Sequence, residues 1–149
     1  MTGPHYTLPL TVRFQHCDPA GIVFFPRYYE MLNLAIERFF EDEVGRSFHR
    51  LHLDEGLGVP TVRIETEFRA VSRLEDRLRI GLTIERVGGS SVRFHLAIRG
   101  EDGSVRVETR HTLVAIDMET TRSIPWPEAI GARLGEIAGG PPRRAPSSD

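Results

Sequence analysis

A carboxylate, an imidazole and a thiol stand side by side at residues 16–18, in a stretch whose spacing could support chemistry. Asp18 precedes Pro19, and a proline disfavours the helical conformation of the residue before it. We therefore expect Asp18 to be extended, with its carboxylate clear of local backbone caps. Gly21 permits a backbone conformation that a side chain would resist, and Pro26 suits the first turn of a helix. Because a helix N-terminus offers unpaired N–H groups and partial positive charge, the pattern predicts a carboxylate beside an oxyanion site.

Each of these groups also has a structural interpretation. On spacing alone, an aspartate before a proline is more often a turn residue than a catalyst. His16, at the end of a strand-like segment, is expected to be a hydrogen-bonded structural residue, although it could serve as a second acid or base. Cys17 is expected to be a small buried filler without a catalytic role, because the neighbouring carboxylate would raise the pKa of its thiol. The remaining histidines show no spacing typical of metal ligands, so no metal is predicted; they include His49, His52, His95 and His111.

The stretch from Asp18 to Tyr29, Asp-Pro-Ala-Gly-Ile-Val-Phe-Phe-Pro-Arg-Tyr-Tyr, resembles the active-site loop of the 4-hydroxybenzoyl-CoA thioesterase family of hotdog-fold acyl-CoA thioesterases. A looser resemblance extends over roughly residues 8–118, with Val59-Pro60 leading into the later strands in the family's order. The resemblance implies an α+β hotdog fold, with a five-stranded antiparallel sheet wrapped around one long central helix. It also implies a homodimer that assembles into a homotetramer, with active sites at subunit interfaces.

The resemblance also assigns roles to residues. It implies that Asp18 attacks the thioester as a nucleophile or activates water as a general base, and that the backbone N–H of Phe25 holds the thioester oxygen. The reaction would need no cofactor, since coenzyme A is part of the substrate, and no metal. The implied substrate-binding residues are His16, Gly21, Phe24, Tyr28, Asn33 and Ser91.

Two positions depart from the family pattern. Asn33 stands where the 4-hydroxybenzoyl branch has a carboxylate that can meet the ring hydroxyl, so selectivity for a 4-hydroxyl group does not carry over. In Gly88-Gly89-Ser90-Ser91, only Ser91 matches a stretch in which that branch carries basic residues for the nucleotide of CoA. Arginines elsewhere, such as Arg93 or Arg122, would then have to meet the phosphates.

Composition sets the broad class. The chain has 149 residues, of which 40% are hydrophobic and 27% charged, as is typical of one globular domain. A net charge of −2 gives no electrostatic reason to expect a nucleic-acid partner. A single cysteine excludes an internal disulfide framework. We see no signal peptide or membrane-spanning segment and predict a cytoplasmic protein.

Periodicity predicts the elements that must position the loop. Apolar residues recur at helical spacing over residues 26–44, and Gly45 suits the helix end. Alternating patterns predict strands over residues 8–15, 62–69, 77–85 and 92–98. A last strand, residues 105–118, changes phase, which suggests a bulge near His111. We also predict a short turn within residues 46–58 and a weak helix from Glu128 to Ala138. Residues 1–138 are therefore predicted to form a single hotdog domain and residues 139–149 a disordered tail.

The leading functional hypothesis is an acyl-CoA thioesterase that hydrolyses an aromatic, 4-hydroxybenzoyl-CoA-like thioester to the free acid and CoA. One alternative is a thioesterase for short-chain, fatty or naphthoyl thioesters, carried on CoA or on acyl carrier protein. Another is a non-catalytic acyl-CoA-binding module of the same fold. A hydratase is disfavoured, because we find no Asp and His paired at the spacing that chemistry uses.

Overall fold

The computed structural model describes residues 3–140, which form one antiparallel sheet with a long helix packed against it. A 3-10 turn (Phe14–His16) precedes the long helix, and two π-helical turns (Phe40–Val44 and Arg50–Asp54) follow it. In chain order, the strands and helices are β1 (Tyr6–Thr11), α1 (Phe25–Phe39), β2 (Leu57–Gly58), β3 (Thr61–Phe68), β4 (Arg77–Val87), β5 (Ser91–Gly100), β6 (Val105–Val114), β7 (Ile116–Asp117) and α2 (Glu128–Ala138).

Five of these strands make the main sheet, in the order β1-β4-β5-β6-β3, and every neighbouring pair is antiparallel. The short strands β2 and β7 pair with each other. The predicted α+β class and the five-stranded antiparallel sheet are therefore confirmed. Within this sheet β3 bonds to β6 alone, so its other edge carries no strand of the described chain.

Helix α1 forms because its apolar residues repeat at helical spacing and so produce one wide buried face. Its N-cap residue, Phe24, is extended, and Pro26 lies in the first turn, where a missing N–H breaks no helical bond. The helix continues through the turn at 40–44 and ends at Gly45, whose left-handed φ of 80° suits glycine. The predicted helix is confirmed, with its start one residue earlier. The buried residues of α1 are Tyr28, Met31, Leu32, Ala35, Ile36 and Phe39.

The inner face of the sheet supplies the other half of the core. Alternate residues of β4 and β5 are buried, as the period-2 pattern predicts. Phe39 of α1 meets Phe94 of β5 edge to face, with ring centroids 5.4 Å apart, which joins helix and sheet. The inner-face residues of these two strands are Leu78, Ile80, Leu82, Ile84, Val92, Phe94, Leu96 and Ile98.

Two strand predictions are wrong in detail. Strand β1 ends at Thr11, and Phe14, which the alternating pattern placed in the core, is 84% exposed in the turn before the loop. His111 itself pairs in regular register with Ile64 and Phe94, and the nearby irregularity lies in β3, between Thr61 and Arg63, opposite Leu113 and Thr112. The apparent change of phase arises because two polar residues of β6, Thr109 and His111, point into the core.

The C-terminal prediction is tested only in part. Helix α2 has the predicted bounds and packs against β4, and Arg133 Nε donates to the backbone oxygen of Glu43 at 2.8 Å. Of the predicted tail, residues 141–149 lie outside the described residues. No helix between residues 3 and 140 is both long and apolar enough to cross a membrane.

Candidate active site

Residues 17–23, here called the Asp18 loop, form a tight hairpin directly before α1. Cys17 and Val23 face each other in an antiparallel bridge, and the Asp18 N–H donates to the Ile22 oxygen at 2.9 Å. The Gly21 N–H donates to the backbone oxygen of Asp18 at 2.9 Å. Gly21 has a φ of 81°, so a side chain at this position would be strained. The hairpin therefore fixes Asp18 on the turn that leads into the helix.

The carboxylate of Asp18 is half-buried and only partly free. Its Oδ1 accepts a hydrogen bond from the Ala20 N–H at 2.9 Å, as in an Asx turn. The prediction that this side chain stays clear of local backbone caps is therefore wrong, because Pro19 restricts the backbone of Asp18 without preventing this side-chain bond. The second oxygen, Oδ2, has no hydrogen-bond partner in the described chain. One oxygen thus orients the group, and the other remains available.

The start of α1 has a free donor. No side chain caps the helix, Pro26 has no N–H, and the Arg27 N–H donates back to the Phe24 oxygen at 2.8 Å. The Phe25 N–H, the first of the helix, has no acceptor within residues 3–140. An unpaired N–H at the positive end of a 15-residue helix is suited to stabilising a developing oxyanion.

Aromatic rings surround this donor. Phe25 is 57% exposed and lies edge to face with Phe24, at 5.7 Å between ring centroids, and with Phe68 of β3, at 5.9 Å. Tyr28 and Tyr29 contact the same Phe68 ring at 6.1 and 6.2 Å. The sequence predicted the aromatic residues of the helix but missed Phe68. Its place on the inner face followed from the alternation of β3, whereas its position beside the helix start depends on contacts distant in sequence.

A short polar chain lies beside the aromatic cluster. The Tyr29 hydroxyl donates to Thr66 Oγ1 at 3.1 Å, and Thr66 Oγ1 shares a hydrogen bond of 3.0 Å with Thr109 Oγ1. These bonds connect α1, β3 and β6 through side chains. They fix the ring of Tyr29 in place and leave no unpaired hydroxyl at this point.

His16 takes a structural position before the loop. Its Nδ1 accepts a hydrogen bond from the Arg13 N–H at 2.8 Å, and its backbone oxygen accepts one from the Phe24 N–H at 2.9 Å. Burial lowers the pKa of the His16 imidazole, and the neighbouring Arg27 and Arg13 act in the same direction. This geometry supports the structural interpretation of His16. Cys17 is half-buried against the core, and its thiol points toward the Arg13 oxygen at 3.7 Å.

Two predicted substrate-binding residues lie apart from the loop within one chain. Asn33 is exposed on α1, eight residues after Phe25, which corresponds to about 12 Å along the helix axis. Ser91 begins β5 at the far end of β4, whose 11 residues span roughly 33 Å from the end nearest the loop. Of the two arginines considered for CoA phosphates, Arg93 is paired with Glu85 at 3.3 Å. A single chain therefore assembles only the part of the predicted site formed by the loop and the helix start.

The described chain also contains no obvious metal centre. Among residues 3–140, no three side chains of His, Cys, Asp or Glu lie close enough together to hold a metal ion. The groups brought together near the helix start are a carboxylate oxygen, a backbone N–H and aromatic rings, which suit attack on a polarised carbonyl.

Comparison with known proteins agrees with this chemistry. A family model described as the Thioesterase-like superfamily matches residues 12–134, which begin directly after β1 and include the Asp18 loop, α1 and the other four strands of the main sheet. The chain belongs to the Thioesterase-like superfamily. Over 80 residues, it is 30% identical to the 4-hydroxybenzoyl-CoA thioesterase of Pseudomonas sp. (strain CBS-3), a match that covers 53% of this chain and 57% of that protein. The chain thus matches little more than half the length of this relative.

Solved structures of other proteins share the fold. A Staphylococcus aureus protein solved in complex with CoA superposes with a TM-score of 0.87 and 19% identity, covering 97% of this chain and 90% of the other. The 1,4-dihydroxy-2-naphthoyl-CoA thioesterase from Synechocystis gives a TM-score of 0.80 and 20% identity, covering 91% and 98%. The predicted hotdog fold is confirmed, and so is the resemblance to hotdog thioesterases.

Proposed function

We propose that this member of the superfamily is an acyl-CoA thioesterase that hydrolyses aromatic acyl-CoA thioesters to the free acid and CoA. The observation that carries the proposal is the unpaired Phe25 N–H at the start of α1, directly after a hairpin that presents a carboxylate with one free oxygen. The exposed rings of Phe24, Phe25 and Phe68 favour an aryl group as the acyl part. The 30% identical relative, named a 4-hydroxybenzoyl-CoA thioesterase, supports the same substrate class.

Asp18 has two possible roles in this reaction. As a nucleophile, its carboxylate attacks the thioester carbon, the carbonyl oxygen becomes an oxyanion at the Phe25 N–H, and the CoA thiolate leaves and takes a proton from solvent. Water then cleaves the resulting mixed anhydride. As a general base, Asp18 removes a proton from the attacking water and returns one to the leaving thiolate. Rapid-quench mass spectrometry separates the two routes, because only the first forms an acylated Asp18. Neither route uses a cofactor or a metal.

The test compares wild-type protein with Asp18→Asn, measuring thiol release from benzoyl, 4-hydroxybenzoyl, phenylacetyl, hydroxynaphthoyl, short-chain and long-chain CoA thioesters. Asparagine can keep the turn hydrogen bond to Ala20 while removing the charge. We expect kcat to fall by at least about 1,000-fold, because the group that starts the reaction is lost. Asp117→Asn is the matched control, since Asp117 also caps a turn, through the N–H groups of Glu119 and Thr120. Equal activity of Asp18→Asn and wild type would contradict the proposal.

The substrate panel also separates the alternatives. Preference for short-chain, fatty or naphthoyl thioesters would change the acyl class but keep the mechanism. Assays with thioesters of acyl carrier protein test whether the acyl group is carried on that protein instead of on CoA. Tight binding of CoA thioesters without turnover would instead indicate a binding module. That module is the second candidate because Asp18 Oδ1 already serves in a turn.

We further propose that a second copy of the chain completes the site. Within residues 3–140, strand β3 leaves one edge unpaired, and its inner-face residues Ile64 and Phe68 are about half exposed. Because Phe68 contacts Phe25, this open edge adjoins the start of α1. A copy paired along β3 would cover these side chains and could supply Asn33 or Ser91 across the interface. Two predictions remain: that two dimers assemble into a homotetramer, and that the protein is cytoplasmic. Light scattering measures the first.

A further inference from the structure

Residues 71–76, here called the 71–76 segment, lie between β3 and β4 and are bonded to the end of the Asp18 loop and to Val12, five residues before the loop. The Val23 N–H donates to the Ser72 oxygen at 2.9 Å, and Ile22 and Arg73 form an antiparallel bridge. On the entry side, the Val12 N–H donates to the Asp76 oxygen and the Glu75 N–H to the Val12 oxygen, both at 2.9 Å. The hairpin that presents Asp18 is therefore attached to this segment rather than to the sheet directly.

One side chain, Arg106 of β6, holds the segment in place. Its Nη1 lies 3.1 Å from the Val71 oxygen, 3.1 Å from Ser72 Oγ and 2.9 Å from Asp76 Oδ2, while its Nε donates to Ser104 Oγ at 3.0 Å. The Arg106 side chain is only 13% exposed. Three acceptors spread over six residues fix the shape of the segment as well as its position.

Neighbouring residues are arranged to admit this guanidinium. Gly100 of β5 lies directly against it, and a Cβ at that position would come within 2.2 Å of Arg106 Nη2. Asp76 Oδ2 also accepts from the Arg73 N–H at 2.9 Å, and this backbone bond, with the Arg106 contact, lowers the pKa of the Asp76 carboxyl. Asp76 is therefore an anion that ties the guanidinium to the residue bridged with Ile22.

We propose that Arg106 is a positioning residue for the thioesterase site, because it holds the 71–76 segment against which the loop carrying Asp18 and the start of α1 are aligned. The connection runs from Arg106 through Ser72 and Asp76 to Val23 and Ile22. The backbone oxygen of Ile22 accepts the hydrogen bond from the Asp18 N–H, and Val23 is two residues before Phe25. The guanidinium touches neither reacting group, yet it sets their relative placement. The catalytic part of this proposal rests on the proposed function.

The first variant is Arg106→Ala, with Arg110→Ala as its matched control. Arg110 lies on the same strand and pairs with Glu85, with no contact to the loop. We expect Arg106→Ala to lower kcat by about 10- to 100-fold with KM changed less than about threefold, because misplacement of catalytic groups slows the chemical step. Millimolar guanidinium should restore part of the lost kcat. Assays are run well below the unfolding temperature of each variant, so that a general loss of stability does not affect the measured kcat.

The second variant is Gly100→Ala, which leaves every group of the site and the charge of Arg106 unchanged. Its added methyl group displaces the guanidinium, so we expect a loss of kcat in the same direction but smaller, because the arginine side chain can partly readjust. Gly135→Ala in α2 is the control, since a Cβ there meets nothing within 4 Å. Unchanged kcat in both Arg106→Ala and Gly100→Ala would overturn the proposal.

Hydrogen exchange tests the positioning without any substrate. In Arg106→Ala, we expect faster exchange of the Val23 and Glu75 amides, with the amides of β4 and β5 unchanged. Asp18→Asn should leave this exchange unaltered while abolishing hydrolysis. Unchanged exchange at Val23 in Arg106→Ala would overturn the proposal. A wild-type protein that hydrolyses no acyl-CoA would overturn the proposed function and the catalytic role of Arg106 with it, while the exchange data would still show whether Arg106 holds the loop.

Discussion

The middle of the sheet and its β3 edge differ in how completely a single chain buries their side chains and pairs their strand edges. In β4 and β5, every second side chain is buried beneath the helices, and both strand edges are paired. In β3, the corresponding side chains are about half exposed, and no strand of the described residues pairs with one of its edges. The middle therefore accounts for the stability of the chain, whereas the edge, which adjoins the helix start through Phe68, is where association and substrate binding are expected.

The largest difference should appear when one phenylalanine from each region is truncated. Phe94→Ala removes a fully buried ring that packs on Phe39, so we expect a loss of about 3–5 kcal/mol in the free energy of unfolding. Phe25→Ala removes an exposed ring and keeps the backbone N–H, so about 1 kcal/mol or less should be lost. Urea denaturation of the two variants measures both values. Similar losses would contradict the division into a stabilising middle and an incomplete edge.

The boundary between the two regions is His111, which pairs with Phe94 on one side and Ile64 on the other. It is 3% exposed, its Nε2 has no hydrogen-bond partner in the described chain, and burial lowers its pKa to about 4. The unfolded chain then binds a proton near pH 6.5 that the folded chain does not bind until about pH 4. The neutral imidazole therefore contributes fully to stability above pH 6.5, and that contribution falls as the pH is lowered toward 4.

We expect this effect to reach about 3 kcal/mol of unfolding free energy between pH 6.5 and 4. Because carboxylates such as Asp76 and Glu108 also titrate in acid, the measurement is the difference between wild type and His111→Gln in urea denaturation across that range. The wild type should lose more stability on acidification than the variant. If the unfolding free energies of wild type and variant fell in parallel with pH, protonation of His111 would not destabilise the folded state, as is expected of a histidine exposed to water.

His111 also shows where the sequence was informative and where it was not. The helix and the strands of the middle followed from periods of 3.6 and 2, because the apolar residues that repeat at these spacings are buried in the core. In β6, Thr109 and His111 point inward and break the apolar pattern, so a bulge was inferred near His111, whereas the irregularity lies in the facing strand, between Thr61 and Arg63. Similarly, Phe14 continued the alternation of β1 although the chain had already turned into the loop. Periodicity fails where polar groups are buried or a turn begins on an apolar residue.

The loop was predictable in part for a different reason. Proline, glycine and aspartate restrict the backbone locally, so the hairpin and the helix start could be inferred from residues 18–26 alone. The Asx-turn bond of Asp18 was missed because either conformation suits an aspartate before proline. Phe68 and Arg106 were missed because their contacts join residues 30 or more positions apart, which no local pattern reveals.

The smallest of the expected effects concerns the open edge itself. Ile64→Lys places a charge on the inner face of β3, and we expect it to raise the dissociation constant of the proposed dimer by at least about 30-fold, or about 2 kcal/mol. Because Ile64 is already 43% exposed, the single chain should remain folded. Glu65→Lys is the control, since Glu65 lies opposite the exposed Arg110 and a lysine there is placed on the outer face of the same strand. Sedimentation over a concentration series measures the constants. A dimer unaffected by Ile64→Lys would place the second copy elsewhere, whereas a dissociated variant that also loses thioesterase activity would show that the edge left open by one chain is part of the site.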